Sequence, residues 1–217
     1  MKNKKLNYKA LSVNVIVCLI STFLSQFGVA CYYGCGLGTD PISVFVDGLH
    51  GRLGLSYGQI STICYVILGV LLFIFERKHL GINTIINIVI GGQLLDWCVD
   101  LVGDTFPINE IGFATKLLIL LAALIITGIG YGMSIACDLG VGTFQFVPLF
   151  LCDYLHIELK YAQIISDAAF FIIGWLLGGV VGVGTIVSVF LTGFILDWTV
   201  NKTLKFTARF GKMLEEN

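Results

Sequence analysis

GLGTDPISVFVDGLHGRLGLSYGQI, residues 36–60, returns as GVGTFQFVPLFLCDYLHIELKYAQI, residues 140–164. At this spacing of 104, Gly36, Gly38, Thr39, Leu55, Tyr57, Gln59 and Ile60 match Gly140, Gly142, Thr143, Leu159, Tyr161, Gln163 and Ile164, and Gly28 upstream matches Gly132. Downstream the spacing falls to 101: Gly81, Thr84, Ile85, Gly92, Leu95, Asp96, Trp97 and Val99 match Gly182, Thr185, Ile186, Gly193, Leu196, Asp197, Trp198 and Val200. Two apolar copies of a unit of roughly 100 residues predict a two-fold architecture inside a membrane, where such repeats frame a central site.

Composition excludes a soluble domain. Hydrophobic residues make up 57%, charged residues 12% and the mean hydropathy is +0.92, whereas soluble domains carry about 25% charge. The net charge of −1 hides segregation, with lysines at both ends and Asp100, Asp104 and Glu110 in one loop. Charge arranged in this way reports topology, and no nucleic-acid partner is expected. The basic start, Met1 to Lys9, leads into an apolar run of full span length with no small-x-small cleavage site, which predicts a retained first helix; a removed signal peptide is the alternative. The seven cysteines form no C-x-x-C pair and are expected to be small buried hydrophobes. Cys31 and Cys35, one helical turn apart, are the pair whose spacing would suit a metal or redox role, but no metal and no cofactor is expected.

A helical crossing needs about 20 apolar residues. Six segments qualify: 10–33, 57–75, 80–102, 114–137, 160–178 and 183–201. Shorter segments, 40–53 and 144–157, interrupt each copy and carry Asp47, Gly48 and His50 in the first, and Pro148, Asp153 and His156 in the second. If these do not cross, Lys2, Lys4, Lys5 and Lys9, then Arg77 and Lys78, then Lys160, and finally Lys202, Lys205, Arg209 and Lys212 all face the cytoplasm, and the acidic loop lies outside. Three crossings per copy then insert the second copy upside down. The expected fold is an all-α polytopic membrane protein with six transmembrane helices and two short re-entrant or interfacial segments in two inverted-topology repeats. Its divisions are a basic cytoplasmic tail (1–9), a first membrane repeat (10–103), an acidic external loop (104–113), a second membrane repeat (114–203) and a basic cytoplasmic tail (204–217). Phe206, Phe210 and Met213 in that tail predict an amphipathic helix on the inner leaflet.

The candidate site follows from polar residues that a membrane makes costly. Gly36, Gly38, Gly140 and Gly142 supply the backbone breaks before the short segments, and Thr39 and Thr143 are candidate N-caps whose free N–H groups attract anions; tight packing loops are the plainer reading. Asp40 joins the first cluster. Gln59 and Gln163 are a matched amide pair. Asp167, one turn beyond Gln163 on the same face, is an acid within a span, and Ile63 stands opposite it at the 104 spacing. Asp96 and Asp197, each followed by Trp, fit either a coupling role or an interfacial anchor. Asp47, His50, Asp153 and His156 would form polar clusters at the two mouths or solvated loops. Asn83, Thr84, Asn87, Thr185 and Ser188 read as glue between helices. The glycine run 178–184 lacks the Gly-Lys-Ser/Thr ending of a phosphate loop, so nucleotide binding is set aside.

The runs Gly36 to Pro41 (G-x-G-T-x-P), Val44 to Leu49, Leu53 to Gly58, and Gly182-Val183-Gly184-Thr185 with Gly193 resemble the bacterial YczE/YitT-type membrane proteins over nearly the whole chain. In that family Trp-Asp often follows the first proline and Gly-Pro ends the last span; Ile42-Ser43 and Gly193-Phe194 stand here instead. The resemblance implies a bacterial membrane protein linked to transport and supplies no substrate. The expected function is a small secondary transporter or permease of the cytoplasmic membrane for a small polar or amphiphilic solute, with the lipid bilayer around it. A substrate-binding subunit of an ATP-driven uptake system and a non-transporting accessory or scaffold protein are the alternatives, and a homodimer or a membrane partner protein is left open. No catalytic residues are expected: His50, His79 and His156 fall in connections and no nucleophile is paired with a base.

Overall fold

The computed structural model describes residues 8–105, 111–137 and 139–215, and every regular element among them is helical. In chain order these are α1 (Tyr8–Cys35), α2 (Pro41–Leu53), α3 (Tyr57–Phe75), a 3-10 turn (Arg77–His79), α4 (Ile82–Ile86), a π turn (Asn87–Gly91), α5 (Gly92–Thr105), α6 (Phe113–Ala136), α7 (Phe146–Leu155), α8 (Leu159–Leu176) and α9 (Val183–Glu215). Through the π turn, α4 and α5 run on as one span. Six helices are long and apolar enough to cross a membrane: Leu11–Cys35, Tyr57–Phe75, Ile82–Thr105, Phe113–Ala136, Leu159–Leu176 and Val183–Lys205. These are the six segments read from the sequence, and the two short segments are the helices α2 and α7. The expectations on Lys2, Lys4, Lys5 and Glu110, and on the side chains of Lys9, Lys78, Phe206, Arg209, Phe210, Lys212 and Met213, lie outside the described residues.

The outer faces are apolar and exposed, as with Val66, Ile67, Val70, Phe73 and Ile74 on α3 and Phe190, Phe194 and Trp198 on α9. In water such faces would drive aggregation; in a bilayer they meet lipid tails. Between helices with lipid as the alternative neighbour, close backbone approach does the packing, and small residues permit it. A Cβ on Gly28 of α1 would run into Thr127 and the Ala123 carbonyl of α6, and one on Gly130 of α6 would run into the Ser25 and Ser21 backbone of α1. Around this crossing lies an apolar core of Val29, Tyr32, Leu95, Leu120 and Leu124, which also buries Cys31 and Cys35. Of the seven cysteines six are buried and Cys152 is half-buried.

Each short helix begins and ends on one connection. Gly38, just before α2, presses on the Gly182 backbone. At its middle Asp47 Oδ2 accepts from Val180 N (2.7 Å), and at its other end Arg52 donates to the Leu177 and Leu176 carbonyls at 2.9 and 3.3 Å. Before α7, Gly140 presses on Gly81, and Val141 N donates to the His79 carbonyl (3.0 Å). Near the end of α7, Asp153 lies 3.4 Å from His79.

These contacts set a register that sequence identity misses. Gly28 against Ala123 and Thr127 becomes Gly130 against Ser21 and Ser25 at a spacing of 102; Leu37 and Gly38 against Gly182 become Leu139 and Gly140 against Gly81. Gly58 on Gly92 corresponds to Gly193 on Lys160. The contacts therefore recur at 102 through α3 and α8 and at 101 beyond them, whereas the identities place the first part at 104. The reason is conformational. Gly38 and Gly140 share a left-handed φ, +92° and +89°, and each is in backbone contact, whereas Gly142 has no positive φ. Only a residue without a Cβ satisfies both demands. The second glycine of the first motif thus does the work of the first glycine of the second.

The capping expectation also fails. Pro41 at the first helical position makes Asp40, not Thr39, the N-cap of α2. A turn carries the chain past Thr143, so Gln145 is the N-cap of α7, and neither cap residue makes a side-chain bond to the helix start.

Candidate functional site

Asp167 is the ninth of the eighteen residues of α8 and only 2% exposed. One turn earlier on the same face, Gln163 Nε2 donates to Asp167 Oδ1 at 2.7 Å. That bond leaves Asp167 Oδ2 and Gln163 Oε1 without a partner, as is the neighbouring Ser166 Oγ. Asp40, 3% exposed, accepts a hydrogen bond from Ser43. The two carboxylates are within electrostatic reach of each other, and Tyr32 of α1 and Tyr131 of α6 are within reach of both. Thr39 and Thr143 are buried nearby in sequence to the two glycine runs, and their hydroxyls lack partners. Among the described residues no Lys, Arg or His is buried.

Tyr131 also lines two internal chambers. One, of about 10 Å³, is bounded by Gln26, Tyr65, Asn87, Ser134 and Gln145; the other, of about 20 Å³, by Gln26, Tyr33, Ser43, Ser61 and Tyr65. Gln26 Nε2 donates to Tyr65 Oη (2.8 Å) between them. A void of about 10–15 Å³ holds one water, so both chambers admit water-sized guests.

The sequence-predicted site divides. Asp40, Asp167 and Gln163 come together in the interior, with Thr39 and Thr143 buried. Gln59 does not join them. It is exposed at the start of α3, where it closes a capping box: Gln59 N donates to Ser56 Oγ (3.1 Å) and Ser56 N donates to Gln59 Oε1 (3.0 Å). Asp96 accepts from Ser56 Oγ (2.6 Å) and Gly58 N (2.8 Å), so its charge sits at the N-terminus of α3. Asp197 lies within electrostatic reach of Lys160 at the N-terminus of α8. Trp97 and Trp198 are exposed beside them, and Asp96 fastens the start of α3. Gly36 has open space around it, and Gly142 packs on Gln145.

Tyr65, Ser61, Tyr131 and Gln26 were not singled out from the sequence. The signal for two of them is the register: at 102, Tyr65 stands where Asp167 does and Ser61 where Gln163 does, in place of Ile63, which is exposed. The glue reading holds for Asn83, which donates to Ser134 Oγ (2.7 Å) and the Gly140 carbonyl (3.2 Å), and for Thr84, which donates to the Val141 carbonyl (2.7 Å). Of the residues expected at the mouths, Asp47 also accepts from Tyr57 Oη (3.0 Å), His50 stacks on Tyr57, and His156 ends α7 in a left-handed conformation. Glu76, His79 and Asp153 gather with donor atoms within 4.8 Å of one another, tying the 76–79 turn to α7.

Comparison with known proteins adds a lineage to this geometry. Residues 12–201, from α1 into α9, match the model of a family of unknown function, DUF6198. The chain belongs to that family. It is similar to "Uncharacterized protein YyaS" of Bacillus subtilis, with 24% identity over 177 residues, covering 82% of this chain and 87% of the relative. It is also 24% identical over 181 residues to "Uncharacterized membrane protein YczE" of the same species, covering 82% and 81% of the two chains. An "Uncharacterized protein" of Haemophilus influenzae is 21% identical over 168 residues, covering 76% and 73%. No solved structure matches the chain. The YczE-type resemblance read from the glycine runs is therefore correct, and with six apolar spans this DUF6198 member is an integral membrane protein.

Proposed function

We propose that the protein is a small secondary transporter, not an enzyme, built from two inverted-topology repeats in the bacterial cytoplasmic membrane with both termini cytoplasmic. The observation that carries this reading is the interior cluster of Asp40, Asp167, Gln163 and Ser166, with polar atoms that no residue satisfies. An ionised group within a span costs about 2.5–3.5 kcal/mol on insertion scales and is kept for function. The recurrence of contacts at 102 and 101 supports the repeat. The short helices support its inverted sense: α2 keeps both ends on the connection 177–184, and α7 keeps both ends on the connection 76–82. Each would enter from one face of the membrane and return to it, as broken elements around a central transport site do. The solute is small and polar or amphiphilic, and alternating access exchanges which short helix is released.

A deletion strain complemented with wild type or Asp167→Asn tests this. Uptake or export of a solute that is lost on deletion, restored by wild type and not by Asp167→Asn is the expected result. Full restoration by Asp167→Asn removes the carboxylate from the mechanism, and unchanged solute pools on deletion remove the transporter.

A further inference from the structure

We infer that the cluster around Asp167 is a binding site for a small alkali cation of sodium or lithium size. The inference deepens the transporter reading and rests on it for its purpose, though not for its chemistry. The two interior carboxylates differ in what balances them. Asp40 stands at the N-terminus of α2, where the helix dipole favours an anion, and Ser43 donates to it. Asp167 lies at the middle of α8, where neither helix end helps it, and its one described bond comes from a neutral amide. An ionised Asp167 thus has no buried Lys, Arg or His among the described residues to meet its charge.

Three oxygens without partners, Gln163 Oε1, Ser166 Oγ and Asp167 Oδ2, occupy one face of α8 at positions i, i+3 and i+4, each on a side chain no more than 2% exposed. A carboxylate, an amide carbonyl and a hydroxyl are ligands for a hard cation, not for a soft metal. Size decides the rest. The three side chains are at most 2% exposed, which leaves no room beside them for an organic ammonium or for the several waters that Mg²⁺ retains, and a single charge calls for a single charge.

The test is thermal unfolding of the purified full chain in detergent at fixed pH and ionic strength, titrating NaCl or LiCl against choline chloride. Wild type should melt higher in Na⁺ or Li⁺ by at least about 3 °C in a saturable manner. Asp167→Asn should abolish the difference, and Gln163→Leu should raise the half-saturating concentration about tenfold. If Asp167→Asn does not yield a monodisperse protein, Ser166→Ala serves as the second ligand variant, with a weakened response expected. An equal shift in wild type and all ligand variants, or none in wild type, overturns the site. A melting point that follows pH alone makes the occupant a proton and also overturns it. A saturable Na⁺ shift without any solute flux leaves the ion site standing and sinks the transporter; Na⁺-independent flux does the reverse.

Discussion

At the scale of the residue, the division of labour between Gly36 and Gly38 is the clearest case of one motif serving two ends. Both have positive φ, +62° and +92°, but only Gly38 touches another backbone, that of Gly182. Gly36→Ala should therefore cost about 1 kcal/mol, the left-handed penalty alone. Gly38→Ala should cost about 3 kcal/mol or more, because the penalty is joined by a collision that neither chain segment can relieve by a rotamer change. Thermal unfolding of the two variants checks this; equal melting points would mean the 36–40 loop is not seated on Gly182. The same residues explain what the sequence could and could not reveal. Hydropathy and length made six spans and two short helices legible, since those follow from the solvent. The matching letters and the backbone contacts differ by two residues in the first half, because the letters count Gly36 with Gly140 while the contacts pair Gly38 with Gly140. That difference hid Tyr65 and Ser61 behind Ile63 and Gln59. Asp167 was legible because an acid inside a span is rare whatever the register, and Asp40 because it stands in the first glycine run, whereas the capping roles of Gln59 and Asp96 needed the turn at Ser56 to be seen.

Among the elements, the two short helices are held differently, and the difference is written in side-chain size. Helix α2 crosses α8 at Gly48 and Gly174, where a Cβ on Gly174 would meet the Val44 and Phe45 backbone and one on Gly48 the Gly174 carbonyl. In the 102 register the corresponding positions are Phe150 on α7 and Leu72 on α3, which share a cluster with Phe146 and Val141. Glycine on glycine lets α2 lie directly on the α8 backbone, and Phe150 and Leu72 keep α7 a side chain's breadth from α3. Gly174→Val should lower stability by about 2–3 kcal/mol through overpacking of the α2–α8 crossing, whereas Phe150→Leu, on a half-buried side chain, should cost less than about 1.5 kcal/mol. Melting curves of both variants decide it: similar losses would show that the two crossings are equally close.

For the whole molecule, the consequence of pairing every short helix with one connection is a rule about sides. Residues 51, 112 and 180 should share one face of the membrane, since Gly51 is near the end of α2, which Arg52 ties to Leu177 close to Val180, and Gly112 follows α5, one crossing beyond the 76–79 turn. Arg77 and Tyr154 should share the other, because the 76–79 turn meets the end of α7 at His79 and Asp153. All five positions are exposed, and three of the native residues are neither charged nor bulky, so single cysteines there in a background lacking the seven native ones should leave the packing intact. Labelling of intact cells with a membrane-impermeant thiol reagent should modify positions 51, 112 and 180 and spare 77 and 154 until the membrane is opened, since the positive-inside rule puts Arg77 in the cytoplasm. Labelling of 77 from outside together with 51 would mean that α2 or its neighbours cross, so each repeat would hold an even number of spans. The two copies would then run parallel, and the exchange of α2 for α7 as the open side would lose its geometric basis, while the cation site on α8, which depends on one helix face, would keep its own.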